Sequence, residues 1–369
     1  MKESFRHFEH KKVDLIGLGN AIVDIIVNIE DEFLEINNLD KGSMNLINSD
    51  ESQRLLENCK VIKQISGGSS ANTVVSLAEL GNHVQFIGRV KNDQFGNFFS
   101  DDIKKSKTIF NTPPTIEGAP TAHSIILVTP DAQRTMCTYL GASVEFEPKD
   151  IDFTVIKESK YLYLEGYLWD SELAKKAFIK AAQIAKQSNT KIILSLSDSF
   201  CVDRHRESFL ELIYEYVDIV FCNESEVLSL FKNDKLASCQ EDLSSLCELV
   251  IVTLGRNGSL IVNKNNVEII ESITKGKIID TTGAGDIYAG GFIHGLINNY
   301  SLKKCGEIGS ICAGHIITQQ VSQRKKRGIG KTQIRGEYDQ CDGLGVTNNT
   351  NVLVTIENDH TTMKDEPVV

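Results

Sequence analysis

The chain has 369 residues, 41% of them hydrophobic, enough for one large α/β domain with an accessory element around a substantial core. A formal net charge of −11 argues against a nucleic-acid binder, whose phosphate contacts need a basic face. Nine cysteines without a C-x-x-C pair, a charged start over residues 1–12 with no apolar h-region, and no apolar run of membrane-spanning length predict reduced thiols, a cytoplasmic location and no membrane partner.

In chain order, residues 13–18 read as a strand, and 24–47 as a β-rich segment. A glycine pair at 67–68 opens an apolar helix over 73–80, with Gly81 as its C-cap, and a strand follows at 84–87. Over 121–139, the runs Ser124–Val128 and Arg134–Tyr139 flank a turn at Pro130-Asp131. Strands at 161–164, 192–196, 219–221, 250–253 and 259–262 then alternate with helical stretches at 172–186, 206–216, 224–231 and 242–248. Helices at 284–297 and 302–317 close the core. This alternation predicts an α/β fold with three α/β/α layers and a mostly parallel sheet. The segments 24–47 and 121–139 break the rhythm and predict a small separate sheet.

The most chemically specific run is Asp280-Thr281-Thr282-Gly283-Ala284-Gly285-Asp286, directly before an apolar helix. Glycines at a helix entrance let backbone N–H groups of Gly283, Ala284 and Gly285 face an anion, and the helix dipole adds positive potential. Asp286 at that entrance is placed to take a proton from an attacking hydroxyl. The plainer reading is an acidic cap after a glycine turn. A second glycine cluster, Gly67-Gly68-Ser69-Ser70-Ala71-Asn72, opens another apolar helix. Two further matches are decoys: Gly328-Ile329-Gly330-Lys331-Thr332 lacks the first glycine of a P-loop, and Gly17-Leu18-Gly19 has Ile22 where a dinucleotide fingerprint needs its third glycine.

Taken together and in this order, Gly67-Gly68-x-x-x-Asn72, Asn223-Glu224-Ser225-Glu226, Thr253-Leu254-Gly255-Arg256-Asn257-Gly258 and Gly283-Ala284-Gly285-Asp286 resemble the ribokinase (PfkB) family of small-molecule kinases. Within it, Gly19-Asn20-x-x-x-Asp24, Ser195-Leu196-Ser197 and the Asn223 segment look most like adenosine kinase. The resemblance implies a ribokinase-like kinase domain over 1–320 whose small sheet is a lid over the acceptor. It implies ATP as co-substrate, Mg²⁺, K⁺ in some members, a small-molecule acceptor, and a monomer or homodimer. The reaction implied is phosphorylation of a nucleoside 5′-hydroxyl, with adenosine to AMP as first choice.

By the same resemblance Asp286 is the general base, and Gly283, Ala284 and Gly285 form the anion hole with Arg134 as a lid arginine. Asn20, Asp24, Gly67, Gly68 and Asn72 hold the ribose. Tyr167 and Phe200 are candidates to stack on a purine, and each reads equally as core. Asn223, Thr253, Gly255, Arg256 and Gly258 run along ATP. Glu226 organises Mg²⁺ through water, although Asn223 and Glu226 also fit an N-cap with its capping-box acid. Asp280 is assigned to a monovalent-cation loop. A sugar kinase of the same family is the nearest rival, and a noncatalytic nucleotide-binding protein on the same scaffold is the other. Residues 321–369 depart from the family pattern and read as a disordered tail, beginning near the basic run 324–327 and with one strand-like run at 352–356.

Overall fold

The computed structural model describes residues 11–318 apart from Asn265 and Lys275, and two short strand pieces, Ile334–Arg335 and Val354–Thr355. The expected disordered tail at 321–369 otherwise lies outside the described residues. In chain order the elements begin β1 (Val13–Leu18), β2 (Ile22–Asn28), α1 (Asp31–Ile36), β3 (Met44–Leu46), α2 (Ser49–Glu57), β4 (Val61–Gly67) and α3 (Ser69–Glu79). They continue with β5 (Val84–Ile87), α4 (Gln94–Lys104), β6 (Ala122–Val128), β7 (Arg134–Tyr139), α5 (Phe153–Lys157), β8 (Ser159–Glu165) and α6 (Glu172–Gln187). Then come β9 (Lys191–Ser195), α7 (Ser199–Tyr216), β10 (Ile219–Asn223), α8 (Glu224–Phe231), α9 (Gln240–Leu246), β11 (Leu249–Thr253), β12 (Ser259–Asn263) and β13 (Asn266–Ile270). Helices α10 (Ala284–Ile297) and α11 (Leu302–Ile316) follow.

Eight strands form one sheet in the order β13-β12-β11-β10-β9-β8-β1-β5. Pairing is parallel from β11 to β5 and antiparallel at β11–β12 and β12–β13. Strands buried on both faces carry continuous apolar runs, as β1, β8, β10 and β11 do. One core cluster packs α6, α7 and α8 on one face of the sheet, and another packs α3 and α10 on the other. The expected α/β/α layering with a mostly parallel sheet is therefore present.

The second sheet has five strands, ordered β3-β7-β6-β2-β4. The sequence pointed to the segments that supply β2, β3, β6 and β7 but missed β4, and it missed the two helices α1 and α2 beside them. Alternation divides this sheet into two faces. Val23, Ile25, Val27, Ile125, Leu127 and Cys137 turn inward and join the cluster around α3 and α4. Asp24, Ile126 and Arg134 alternate with them and line a cleft of about 320 Å³.

The topology concentrates chemistry at one place. After β1 the chain crosses to β5 on one side, then returns to β8 on the other, so the sheet order reverses at the β1/β8 boundary. Because these strands are parallel, the carboxyl ends of β1, β8, β9, β10 and β11 open on one side, where α/β sheets bind ligands.

Candidate active site

Gly19 and Asn20 leave the carboxyl end of β1, and Glu165 ends the neighbouring β8. The Asn20 amide donates to Glu165 Oε1 at 2.8 Å, and the Ser70 N–H donates to Glu165 Oε2 at 2.8 Å. Glu165 is 1% exposed, and burial pushes its pKa up to about 7 against those donors. The carboxylate thus ties β1 to the start of α3. Sequence reasoning missed it, although a Glu closing the apolar run Tyr161–Leu164 was a visible signal.

The glycine pair between β4 and α3 is required by close approach. A Cβ on Gly67 would come within 2.6 Å of the Asp24 carboxylate, and one on Gly68 would reach 2.1 Å from the Asn20 carbonyl oxygen. Gly68 also has φ +105, which L-residues rarely adopt. The chain therefore turns tightly against Asn20, and α3 starts beneath the anion loop. Asn20, Asp24, Gly67, Gly68 and Asn72 are all brought together here.

At the start of α10, Gly283 is the N-cap in left-handed conformation, φ +74. Asp286 sits in the first turn, where a helix supplies no acceptor for the N–H groups of Gly283 and Gly285. The Ala284 N–H is used otherwise, donating to the Thr281 carbonyl at 3.1 Å. Among the three donors expected from the loop, Ala284 is thus the one already spent in the turn.

Asp286 meets the other glycine motif directly. Ser69 Oγ donates to its Oδ1 at 2.6 Å, and Asn72 Nδ2 donates to Oδ2 at 3.0 Å. The Asn72 amide expected at a ribose hydroxyl is therefore engaged with Asp286 in this structure, because residues 69 and 72 share one face of α3. Burial, opposed by those two hydrogen bonds and helped by the charge of Asp24, raises the Asp286 pKa to about 6, although the residue as a whole is half-buried.

Arg134 reaches from β7 to the same loop. Its guanidinium pairs with Asp280 Oδ2 at 2.6 Å and donates to Thr282 Oγ1 at 3.3 Å. The other Asp280 oxygen accepts from the Thr282 N–H at 3.0 Å. The Asp280 carboxylate, expected in a monovalent-cation loop, is engaged here by a guanidinium and a backbone donor.

On the β10–β11 side, Asn223 and Thr253 are register partners at the strand ends. Asn223 and Glu226 form a complete capping box at α8, with Glu226 Oε2 accepting from the Asn223 N–H at 2.9 Å. Glu226 is 3% exposed and burial raises its pKa to about 7. Its oxygens keep one free lone-pair direction each, which fits an outer-sphere contact to a hydrated cation better than direct ligation. No group of three or more His, Cys, Asp or Glu side chains that could hold a metal occurs among the described residues.

Gly255 and Gly258 have positive φ in the loop after Thr253, and Arg256 between them is exposed. Thr253 pairs with Asn223 at the strand ends, and the other three lie in the turn that follows β11. Tyr167 is half-buried, its N–H donating to Ser197 Oγ at 3.2 Å, and its hydroxyl lies within electrostatic reach of Asp286 and Glu165. Phe200 is 74% exposed near the start of α7, which removes its reading as core.

The comparisons with known proteins agree with this geometry. Residues 39–326 match the model of the "pfkB family carbohydrate kinase". The chain is similar to the crystal structure of a probable sugar kinase protein from Rhizobium etli CFN 42, with 40% identity, a TM-score of 0.78, and coverage of 84% of this chain and 94% of that one. It is equally similar to adenosine kinase from Sinorhizobium meliloti, at 42% identity and a TM-score of 0.77 over the same shares, 84% and 94%. Among curated proteins, 5-dehydro-2-deoxygluconokinase of Geobacillus kaustophilus is 26% identical over 329 residues, covering 85% of this chain and 91% of its own length. With its two glycine motifs meeting at one carboxylate, the chain belongs to the PfkB family of carbohydrate kinases and is a phosphotransferase with an alcohol acceptor.

Proposed function

We propose that the protein transfers the γ-phosphoryl group of ATP to the 5′-hydroxyl of a nucleoside, with adenosine giving AMP. The observation that carries this reading is the 42% identity, over 84% of this chain and 94% of the other, to a protein titled adenosine kinase. Asp24 supports it: a carboxylate beside Gly67 and Asn72 in the cleft can accept two hydrogen bonds from a vicinal 2′,3′-diol.

In this reading the acceptor lies under the smaller sheet, which serves as a lid that keeps water from the γ-phosphate. Asn20, Asp24, Gly67 and Gly68 hold the sugar, Tyr167 stacks on the base, and Phe200 supplies a second aromatic surface at the rim. Asp286 takes the acceptor's proton as the new O–P bond forms. Its ionised form is the active one, and an elevated pKa improves it as a base. The Gly283 and Gly285 N–H groups, the α10 dipole and Arg134 stabilise charge on the transferring oxygens. Asn223, Thr253, Gly255, Arg256 and Gly258 run along ATP. Mg²⁺ supplies charge neutralisation of the phosphates when bound, with Glu226 holding its waters.

A second reading, a sugar kinase, is favoured by the Rhizobium etli structure and by the 5-dehydro-2-deoxygluconokinase relatives. Coupled ADP-release assays with nucleosides, ribose, fructose and 5-dehydro-2-deoxygluconate separate the two. Turnover with adenosine and formation of AMP support the proposal. Turnover with a sugar and with no nucleoside overturns it, and ATP binding without ADP release in the presence of any acceptor indicates a noncatalytic protein. No helix among the described residues is long and apolar enough to cross a membrane.

A further inference from the structure

One face of α3 grips the first turn of α10 at three points. Ser69 Oγ and Asn72 Nδ2 hold the two oxygens of the Asp286 carboxylate, and the Thr73 hydroxyl shares its proton between the Asp286 and Ser69 backbone carbonyls, each at 3.2 Å. Residues 69, 72 and 73 stand at the helical spacing i, i+3, i+4, so one rigid surface makes all three contacts. That surface is itself fixed, because the Ser70 N–H is held by Glu165 and Gly68 is wedged against Asn20.

We infer that Ser69 is a positioning residue for the phosphoryl transfer, orienting the Asp286 carboxylate and favouring its ionised form. The inference rests on the reading of Asp286 as general base. Asn72 also lines the cleft, whereas the Ser69 hydroxyl has Asp286 as its partner and is the shorter of the two contacts. A hydroxyl donating to one carboxylate oxygen stabilises the anion and leaves lone pairs on both oxygens for an incoming O–H. In the transfer step the acceptor proton passes to Asp286, the O–P bond to ADP breaks as the acceptor O–P bond forms, and Ser69 keeps its own proton.

The charges around Asp286 explain why such a donor matters. Asp24 of β2 acts on it directly, and Glu165 of β8 lies within electrostatic reach; both are acidic and favour the protonated form. Tyr163 of β8 and the nearby Tyr167 are neutral at working pH, burial holding their hydroxyl pKa values well above the usual range. Arg134 of β7 is directed at Asp280 and Thr282 of the loop. The Ser69 and Asn72 hydrogen bonds are therefore the interactions that hold the carboxylate ionised against burial and acidic neighbours.

The test is the pH dependence of kcat for wild type, Ser69→Ala, Ser69→Thr and Asp286→Asn, with the best acceptor from the panel, saturating ATP and Mg²⁺. The expected result for Ser69→Ala is an acid limb moved up by about one pH unit, a roughly tenfold loss of kcat on that limb, a smaller loss at high pH, and unchanged KM for ATP. Ser69→Thr keeps a hydroxyl and returns the limb towards wild type. A Ser69→Ala profile that superimposes on wild type, or falls equally at every pH without rescue by threonine, overturns the inference while an inactive Asp286→Asn leaves the base reading standing. Wild-type turnover by Asp286→Asn overturns both.

Discussion

Replacing Gly68 by alanine loads the turn that joins Asn20 to the start of α3. The added Cβ would lie 2.1 Å from the Asn20 carbonyl oxygen, where an ordinary carbon–oxygen contact is about 3.4 Å. Relief therefore needs about 1.3 Å of movement between β1 and the start of α3, and φ +105 adds about 1–3 kcal/mol of backbone strain for an L-residue. Because Ser69 and Asn72 follow directly and hold Asp286, that movement reaches the carboxylate. A misplacement of about 1 Å at reacting groups costs about 10²-fold in rate, so kcat/KM for the acceptor should fall about a hundredfold. The strain should lower Tm by several degrees, at about 2–4 °C per kcal/mol. Steady-state kinetics and thermal melting of Gly68→Ala check both. Activity within a factor of three of wild type at unchanged Tm would refute the argument that this turn fixes the site.

Three further outcomes follow from the buried carboxylates. Asp286 must be ionised to act as base, and its pKa is raised to about 6, so log kcat should rise with pH below about 6 and level off above it; a flat profile down to pH 5 contradicts that role. Glu226 is pushed from the ordinary 4.5 to about 7, so between those values the folded state binds a proton that the unfolded state does not, and stability falls as pH rises through this window. The full cost, at most about 3 kcal/mol above pH 7, is removed in Glu226→Gln, whose Tm relative to wild type should therefore improve from pH 5 to pH 8. The same variant should raise the Mg²⁺ concentration needed for half-maximal rate; an unmoved titration leaves Glu226 as a helix cap alone.

Much of the large sheet was legible because its strands are short apolar runs between glycines and capping residues. β1, β5, α8 and α10 have the limits that sequence gave them. The misses have local causes. β4 mixes Lys63 and Gln64 into its apolar residues, with Val61 and Ile62 exposed at the edge of the smaller sheet, so neither alternation nor a continuous run stands out. α7 begins at Ser199, ahead of the expected 206, because the non-helical backbone at His205 breaks the periodicity before it. At the site, the glycine motifs announced themselves through spacing, whereas Glu165 and Ser69 act through contacts between elements far apart in sequence. Asn223 and Glu226 carried two readings, and the capping box is the one whose hydrogen bonds are present. The Arg134–Asp280 pair was likewise unreadable, since only the packing of β7 over the anion loop brings those charges together.

The most direct measurement is single-turnover phosphoryl transfer by rapid quench in wild type and Asp286→Asn, with ATP affinity measured in parallel. Asparagine keeps the shape of the side chain and loses the proton acceptor. The account predicts a fall in the transfer rate of about 10³-fold or more, with ATP affinity unchanged within a factor of about two. Transfer by Asp286→Asn at the wild-type rate would contradict it.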